Sequence, residues 1–213
     1  MITSSSNTQV KRVIQLSRKA RERKKQQIFV VEGRKMFQEA PREWLEQVYV
    51  TENFEIEHKN VLDGIDYEVV DERIFTQMSD TQTPQGILCL VKMPVYTLDE
   101  VLKGDNPLCV ILEDLQDPGN VGTIFRTAEG AGVTGILLSR NTVDLFNPKT
   151  IRSTMGSIYR MPFLYVEDLC EILPELEKRS IHTYAAHLRG ENAYDCEDYR
   201  RGTAFFIGNE GNG

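Results

Sequence analysis

A chain of 213 residues with 40% hydrophobic and 27% charged content can form one large domain or two small ones, with cores that need neither disulfide nor metal staples. The N-terminus starts Met-Ile-Thr-Ser-Ser-Ser-Asn and turns basic without an apolar targeting core, and no stretch approaches ~18 apolar residues, so neither export nor a membrane span is expected and the expected location is cytoplasmic. The net charge of −7 hides a segregation: residues 1–35 hold ten Lys/Arg against Glu22 and Glu32, a net of +8, and the rest holds 15 basic and 30 acidic residues, a net of −15.

That segregation points to a basic arm that meets phosphate, on a body that repels it. The residues concerned are Lys11, Arg12, Arg18, Lys19, Arg21, Arg23, Lys24 and Lys25; a solvated helix face is the plainer alternative. Ser4-Ser5-Ser6-Asn7 offers N-cap chemistry ahead of Val10, Val13, Ile14 and Leu16, whose spacing predicts one helix running to about Gln27. Strands follow at Ile28–Val31, Gln47–Val50, Tyr67–Val70 and Gly86–Val91, with helical material at Met36–Glu46 and Glu72–Met78. Residues 1–93 therefore form a small α/β unit, and 94–106 reads as a linker with one short helix.

From 107 to 213 the pattern changes. Leu108–Leu112 is an apolar run without alternation, the mark of a parallel strand covered on both faces. After it come a helix over Val121–Glu129, a strand at Gly135–Leu138, a helix near Pro148–Ser157, a strand at Phe163–Tyr165, a helix over Val166–Lys178, and strands at His182–Ala186 and Ala204–Ile207. Strands alternating with helices at this spacing predict a doubly wound parallel sheet. The four cysteines show no C-x-x-C pair; Cys89 and Cys109 lie in apolar runs and read as buried reduced thiols, and the three histidines show no ligand spacing around them, so no metal site is expected.

In such a sheet the ligand site lies outside the carboxyl ends of the strands, and three polar clusters are expected there. The first, Glu113–Ala128, contains Asp117-Pro118-Gly119-Asn120, a turn in which Asn120 suits an N-cap. That accounts less well for Arg126, two turns into the helix, whose side chain leans back over the loop toward an anionic or hydroxyl group. The second, Asn147–Ser157, sets Lys149 and Arg152 among small hydroxyls at a helix start; phosphate binding and a capped surface helix explain it equally. The third, Phe205–Gly213, breaks a strand into Gly208-Asn209-Glu210-Gly211-Asn212-Gly213, which lets backbone approach a ligand. It lacks the order of a nucleotide P-loop or a dinucleotide fingerprint.

Together, Leu112–Gly132, Lys149–Gly156 and Phe206–Gly211 resemble the SpoU/TrmH branch of the SPOUT methyltransferases, the first run matching its motif 1 and the last its motif 2. Ser5-Ser6-Asn7, Val10-Lys11 and Phe29-Val30-Val31-Glu32-Gly33 resemble the substrate-binding domain that precedes the catalytic one in many members. The resemblance implies an α/β protein: a small N-terminal domain like ribosomal protein L30e, then a parallel-sheet SPOUT domain with a trefoil knot. It also implies S-adenosylmethionine as cofactor, a homodimer with the site at its interface, and methylation of a ribose 2′-hydroxyl in structured RNA, rRNA rather than tRNA. By position it makes Asn120, Arg126 and Glu210 catalytic and places Gly208, Asn209 and Gly211 at the cofactor. A guanidinium keeps its proton near neutral pH, so Arg126 is read as orienter and alkoxide stabiliser rather than general base. Asn120 would hold Arg126 or the adjacent phosphate, and Glu210 could orient one of them.

The family's third motif has no counterpart before Gly213, so the sequence is expected to cover only part of the catalytic domain. Two rival readings remain: a non-catalytic RNA-binding protein, and a nucleotide-binding enzyme using 208–213 as a phosphate loop, which lacks the usual Lys-Ser/Thr ending.

Overall fold

Apolar alternation and turn chemistry translate into two sheets in the computed structural model of the chain, which describes residues 1–187, 189–209 and 211. In chain order the first elements are α1 (Thr8–Arg18), α2 (Ala20–Gln26), β1 (Ile28–Glu32), α3 (Arg34–Glu39), β2 (Leu45–Thr51), α4 (Glu52–Glu57), β3 (Tyr67–Val70), α5 (Glu72–Met78) and β4 (Ile87–Lys92). After them come α6 (Leu98–Val101), β5 (Leu108–Leu112), α7 (Pro118–Gly130), β6 (Gly135–Ser139), α8 (Pro148–Thr154), β7 (Phe163–Val166), α9 (Leu173–Lys178), β8 (His182–Ala185) and β9 (Thr203–Ile207). They gather into two compact units: Met1–Pro94 with Asp144–Tyr159, and Val95–Val143 with Arg160–Gly213.

The first unit is built on a mixed sheet of order β1-β4-β2-β3, in which only β2 and β3 run parallel. Ile2 lengthens its far edge by bridging to Val70. Alternate residues of β1 and β4 face opposite sides. Ile28, Val30, Leu88 and Leu90 meet Val10, Val13 and Leu16 of α1 and Ile74, Phe75 and Met78 of α5. Phe29, on the other side of β1, stacks on Phe146 with centroids 4.9 Å apart, and α8 packs on the same strand. Covering both faces explains why β1 reads as an unbroken apolar run.

The predicted helix to Gln27 is broken at Lys19, whose backbone is extended (φ −122°, ψ 109°). The cause is Arg23: its Nη1 donates to the Leu16 and Ser17 carbonyls at 2.7 and 3.0 Å, capping the last turn of α1 from a second helix. The predicted 36–46 helix shrinks to α3, because Ala40, ahead of Pro41, takes extended backbone. The 166–178 helix is likewise shorter: β7 runs to Val166 and α9 starts only at Leu173. α4, unforeseen in the sequence, is nucleated by Thr51, whose hydroxyl accepts the Phe54 N–H at 3.2 Å.

The second unit carries a fully parallel sheet of order β7-β6-β5-β9-β8, as the alternation predicted. Cys109 and Ile111 of β5 join Leu137, Ala204, Ile181, Leu176 and Val101 in one core face. On α7, Val121, Gly122, Phe125 and Ala128 are buried, and the Phe125 ring meets Phe163 at 5.9 Å. Gly135 is required at the start of β6, since a Cβ there would lie 2.8 Å from the Val101 carbonyl oxygen. Burial is uneven across the sheet. β5 and β6 are almost wholly enclosed, β9 grades from buried at Thr203 to exposed at Ile207, and β8 is mostly exposed. No helix among the described residues is long and apolar enough to cross a membrane.

Candidate active site at the edge of the parallel sheet

β5 and β9 are neighbours in register, Leu112 beside Ile207, so the two chain segments leaving their carboxyl ends emerge together. This is where the strand order stops following the chain, the place where open α/β sheets bind ligands. The Glu113 N–H donates to the Ile207 carbonyl at 2.9 Å and extends the pairing by one residue.

Asp114, next along, organises the edge. Its backbone is left-handed (φ 54°), a conformation that Asp tolerates better than most residues. Its N–H donates to Ser139 Oγ at 2.8 Å, and that hydroxyl donates back to Asp114 Oδ1 at 2.6 Å. Asn141 Nδ2 reaches Oδ2 at 3.3 Å. From the other side, Asn209 Nδ2 donates to the Asp114 carbonyl at 2.7 Å while its Oδ1 accepts the Gly211 N–H at 2.8 Å. The ends of β5, β6 and β9 are thus tied through one residue. Asn209, expected at the cofactor, spends its carboxamide on this tie. The sequence reading passed over Asp114 and Ser139; the usable signal was a short polar residue capable of left-handed backbone directly after a buried strand.

Asp117, rather than Asn120, caps α7: its Oδ1 accepts the Asn120 N–H at 2.8 Å. The expected cap shifts because Pro118 has no N–H to satisfy and its fixed φ suits the first helical position. A Cβ on Gly119 would sit 2.9 Å from that capping oxygen, which accounts for the glycine. Asn120 is therefore at the third helical position, on the exposed side of the helix. Arg126 is exposed as well, and its guanidinium has no hydrogen-bonding or ionic partner among the described residues. Thr123, three residues from each, lies between them on that side. Gly208 is half-buried and Gly211 exposed; Glu210 lies outside the described residues.

The cations expected to meet phosphate divide sharply. Lys11, Arg18, Lys19, Arg21, Lys24 and Lys25 are exposed along α1, α2 and the break between them. Arg12 is half-buried, with its guanidinium on Glu46 at 2.7 Å and Gln26 at 2.8 Å. Arg23 is only 3% exposed and pairs with Asp144 at 2.5 Å besides capping α1, so it is removed from the phosphate-contacting set by burial and internal bonding. The 147–157 cluster, expected at the sheet edge, instead belongs to the first unit, because α8 buries Thr150, Ile151 and Thr154 there. Lys149 is exposed, while Arg152 pairs with Asp80 at 3.0 Å. Cys89 and Cys109 are buried, and burial pushes the Cys109 thiol up to about 12.

Residues 107–213 match the SpoU rRNA Methylase family, and residues 7–89 match the MRM3-like substrate binding domain. The chain belongs to the SpoU rRNA methylase family. It is 31% identical over 214 residues to the 23S rRNA (guanosine(2553)-2′-O)-methyltransferase RlmP of Bacillus subtilis (strain 168), covering 100% of this chain and 83% of that protein. It is 29% identical over 134 residues to the 23S rRNA (uridine(2479)-2′-O)-methyltransferase of Streptomyces viridochromogenes, covering 61% of this chain and 47% of that one. Among solved structures, the AdoMet-bound rRNA methyltransferase from Sinorhizobium meliloti superposes with a TM-score of 0.85 at 27% identity, covering 100% of this chain and 82% of that one. The mixed and parallel sheets are thus those of this family's solved members, as the sequence resemblance led one to expect.

Proposed function

We propose that the chain transfers a methyl group from S-adenosylmethionine to a ribose 2′-hydroxyl of rRNA, at the carboxyl edge of β5 and β9. The observation that carries this reading is the exposed Arg126 guanidinium, without a partner among the described residues, on the helix leaving that edge, in a chain 31% identical to an rRNA 2′-O-methyltransferase. The edge suits the cofactor chemically. Ile207 ends a central strand yet is 37% exposed, an apolar surface a purine ring could cover, and Gly208 beside it offers backbone without a side chain. Ile207, Gly208 and Gly211 are the residues we assign to holding it, with Asn209 keeping their loop on Asp114.

When bound, S-adenosylmethionine supplies an electrophilic methyl group on sulfonium. The chain's task is to hold a weak nucleophile in line and stabilise the oxygen as negative charge grows on it. Arg126 serves as that cation, orienting the 2′-hydroxyl and stabilising the developing alkoxide. Asn120 and Glu210 are assigned to holding the arginine or the neighbouring phosphate. By function we read residues 1–93 as the RNA-binding domain, 94–106 as the linker and 107–213 as the catalytic domain, although 144–159 packs within the first compact unit and 95–106 within the second. The exposed lysines and arginines of α1 and α2, with Lys149, supply salt-dependent phosphate contacts. We further read the working form as a cytoplasmic homodimer with a trefoil-knotted catalytic domain.

The test is transfer of labelled methyl from S-adenosylmethionine to unmethylated rRNA by the full natural protein, followed by digestion to nucleosides. Label on ribose is expected; label on a base would overturn the assignment.

A further inference from the structure

Besides the basic helices, the first unit has a second feature suited to RNA. Two adjoining cavities of about 230 and 220 Å³ share Arg42, Leu45 and Ile65. The first is also lined by Phe37, Gln38 and Val61 among others, and the second by Glu46, Gln47, Gly64 and Asp66 among others. Arg42 belongs to a 3-10 turn, Arg42–Trp44, that leads into β2. Its guanidinium lies over Gly64, where a Cβ would stand 3.4 Å from Nη1, and Gly64 has left-handed backbone (φ 69°). Among the described residues that guanidinium has no hydrogen-bonding or ionic partner.

Local strand geometry keeps the groove open. β2 pairs with β3 only from Val48 to Thr51, so Leu45, Glu46 and Gln47 lie outside that ladder, and a bulge separates Leu45 from Gln47 on the β4 side. The groove therefore sets a few aliphatic side chains, Leu45, Val61 and Ile65, among polar groups that make up most of its surface: the Arg42 guanidinium, two carboxamides and the Asp66 and Glu46 carboxylates. Of the two lining carboxylates, Glu46 is paired with Arg12 of α1 at 2.7 Å, which leaves Asp66 as the acceptor open to a ligand. The same ion pair sets the groove beside the basic helix, whose Lys11 is exposed one residue away.

We propose that this groove takes one unstacked nucleobase of single-stranded RNA while the adjoining phosphates run along α1. A base offers an apolar face to Leu45 and Ile65 and an edge of donors and acceptors to Asp66 and Arg42, the combination by which unpaired RNA is read. An anion alone fits worse, because Asp66 shares the cavity; an apolar ligand fits worse, because the guanidinium and carboxamides would lose water for nothing. The inference rests on the RNA-directed reading above.

The test uses the full natural protein with methyl-labelled Ile, Leu and Val, titrated with 12-nucleotide poly(A), poly(U) and poly(C) at low salt, and an Arg42→Gln variant compared by fluorescence anisotropy. Expected are saturable shifts of the Ile65, Leu45 and Val61 methyls with at least one RNA, and affinity weakened about five- to tenfold in Arg42→Gln, with the salt slope changed by at most about one charge. RNA that binds while the groove methyls stay still, or an Arg42→Gln variant of unchanged affinity, overturns the groove and leaves the methyltransferase reading standing. A protein that binds none of these RNAs and transfers no methyl to rRNA overturns both. Because Arg42 is exposed and has no partner among the described residues, Arg42→Gln is expected to keep the wild-type Tm, and the methyl shifts of the unaltered protein answer the question independently.

Discussion

Two arginines on two helices of this chain are both functional candidates from the sequence, and the structure gives them opposite work. Arg23 lies in the basic run of α2 and Arg126 amid the small and polar residues of α7. Arg23 is enclosed, caps the end of α1 and pairs with Asp144; Arg126 faces solvent with no partner among the described residues. A buried guanidinium with every nitrogen engaged holds structure together, and an exposed one beside an ordered loop is available to chemistry. The same contrast separates their surroundings: Asp114 and Asp117 spend their polar atoms on architecture so that Arg126 need not.

The sharpest break of that comparison is Arg23→Ala. It strands Asp144 without its partner and uncaps the Leu16 and Ser17 carbonyls, so the loss should be about 3–5 kcal/mol, read by urea denaturation. A wild-type midpoint would show that the α1–α2 joint does not depend on it. Asp114→Ala comes next. It removes the acceptor of the Ser139 hydroxyl and puts alanine at φ 54°, for a loss of about 2–3 kcal/mol in the same assay. Gly119→Ala should cost about 1 kcal/mol, because its Cβ displaces the capping Asp117 oxygen; helix α7 would fray from its first turn, seen as faster amide exchange at Asn120. Smallest in stability is Lys24→Gln with Lys25→Gln, both exposed: folding should be unchanged, and the slope of log affinity for RNA against log salt should fall by about 0.7 for each phosphate no longer neutralised.

Much of this was legible beforehand where one physical signal dominated. The unalternating apolar runs at Leu108–Leu112 and Gly135–Leu138 announced a parallel sheet with both faces covered, and Tyr67–Val70 and Glu72–Met78 were read with the bounds the structure has. What escaped depended on partners distant in sequence. Composition counted Arg23 among eight equivalent cations because nothing local says that Asp144, 121 residues on, will meet it. The 147–157 cluster was expected at the same sheet edge as 113–128, and both segments do start helices with an Asx cap, yet α8 joins the first unit because its apolar side fits β1. Asp114 went unassigned because its importance lies in a backbone angle and in hydrogen bonds to Ser139 and Asn209, none visible in residue type alone.

The central claim is that Arg126 serves the reaction and not the fold. The most direct measurement is single-turnover methyl transfer to unmethylated rRNA at saturating S-adenosylmethionine, with full-length wild-type and Arg126→Ala proteins of matched Tm. We predict a rate lower by about a hundredfold or more, with cofactor affinity and Tm unchanged. Full activity in Arg126→Ala, or a loss that tracks a fall in Tm, would contradict it.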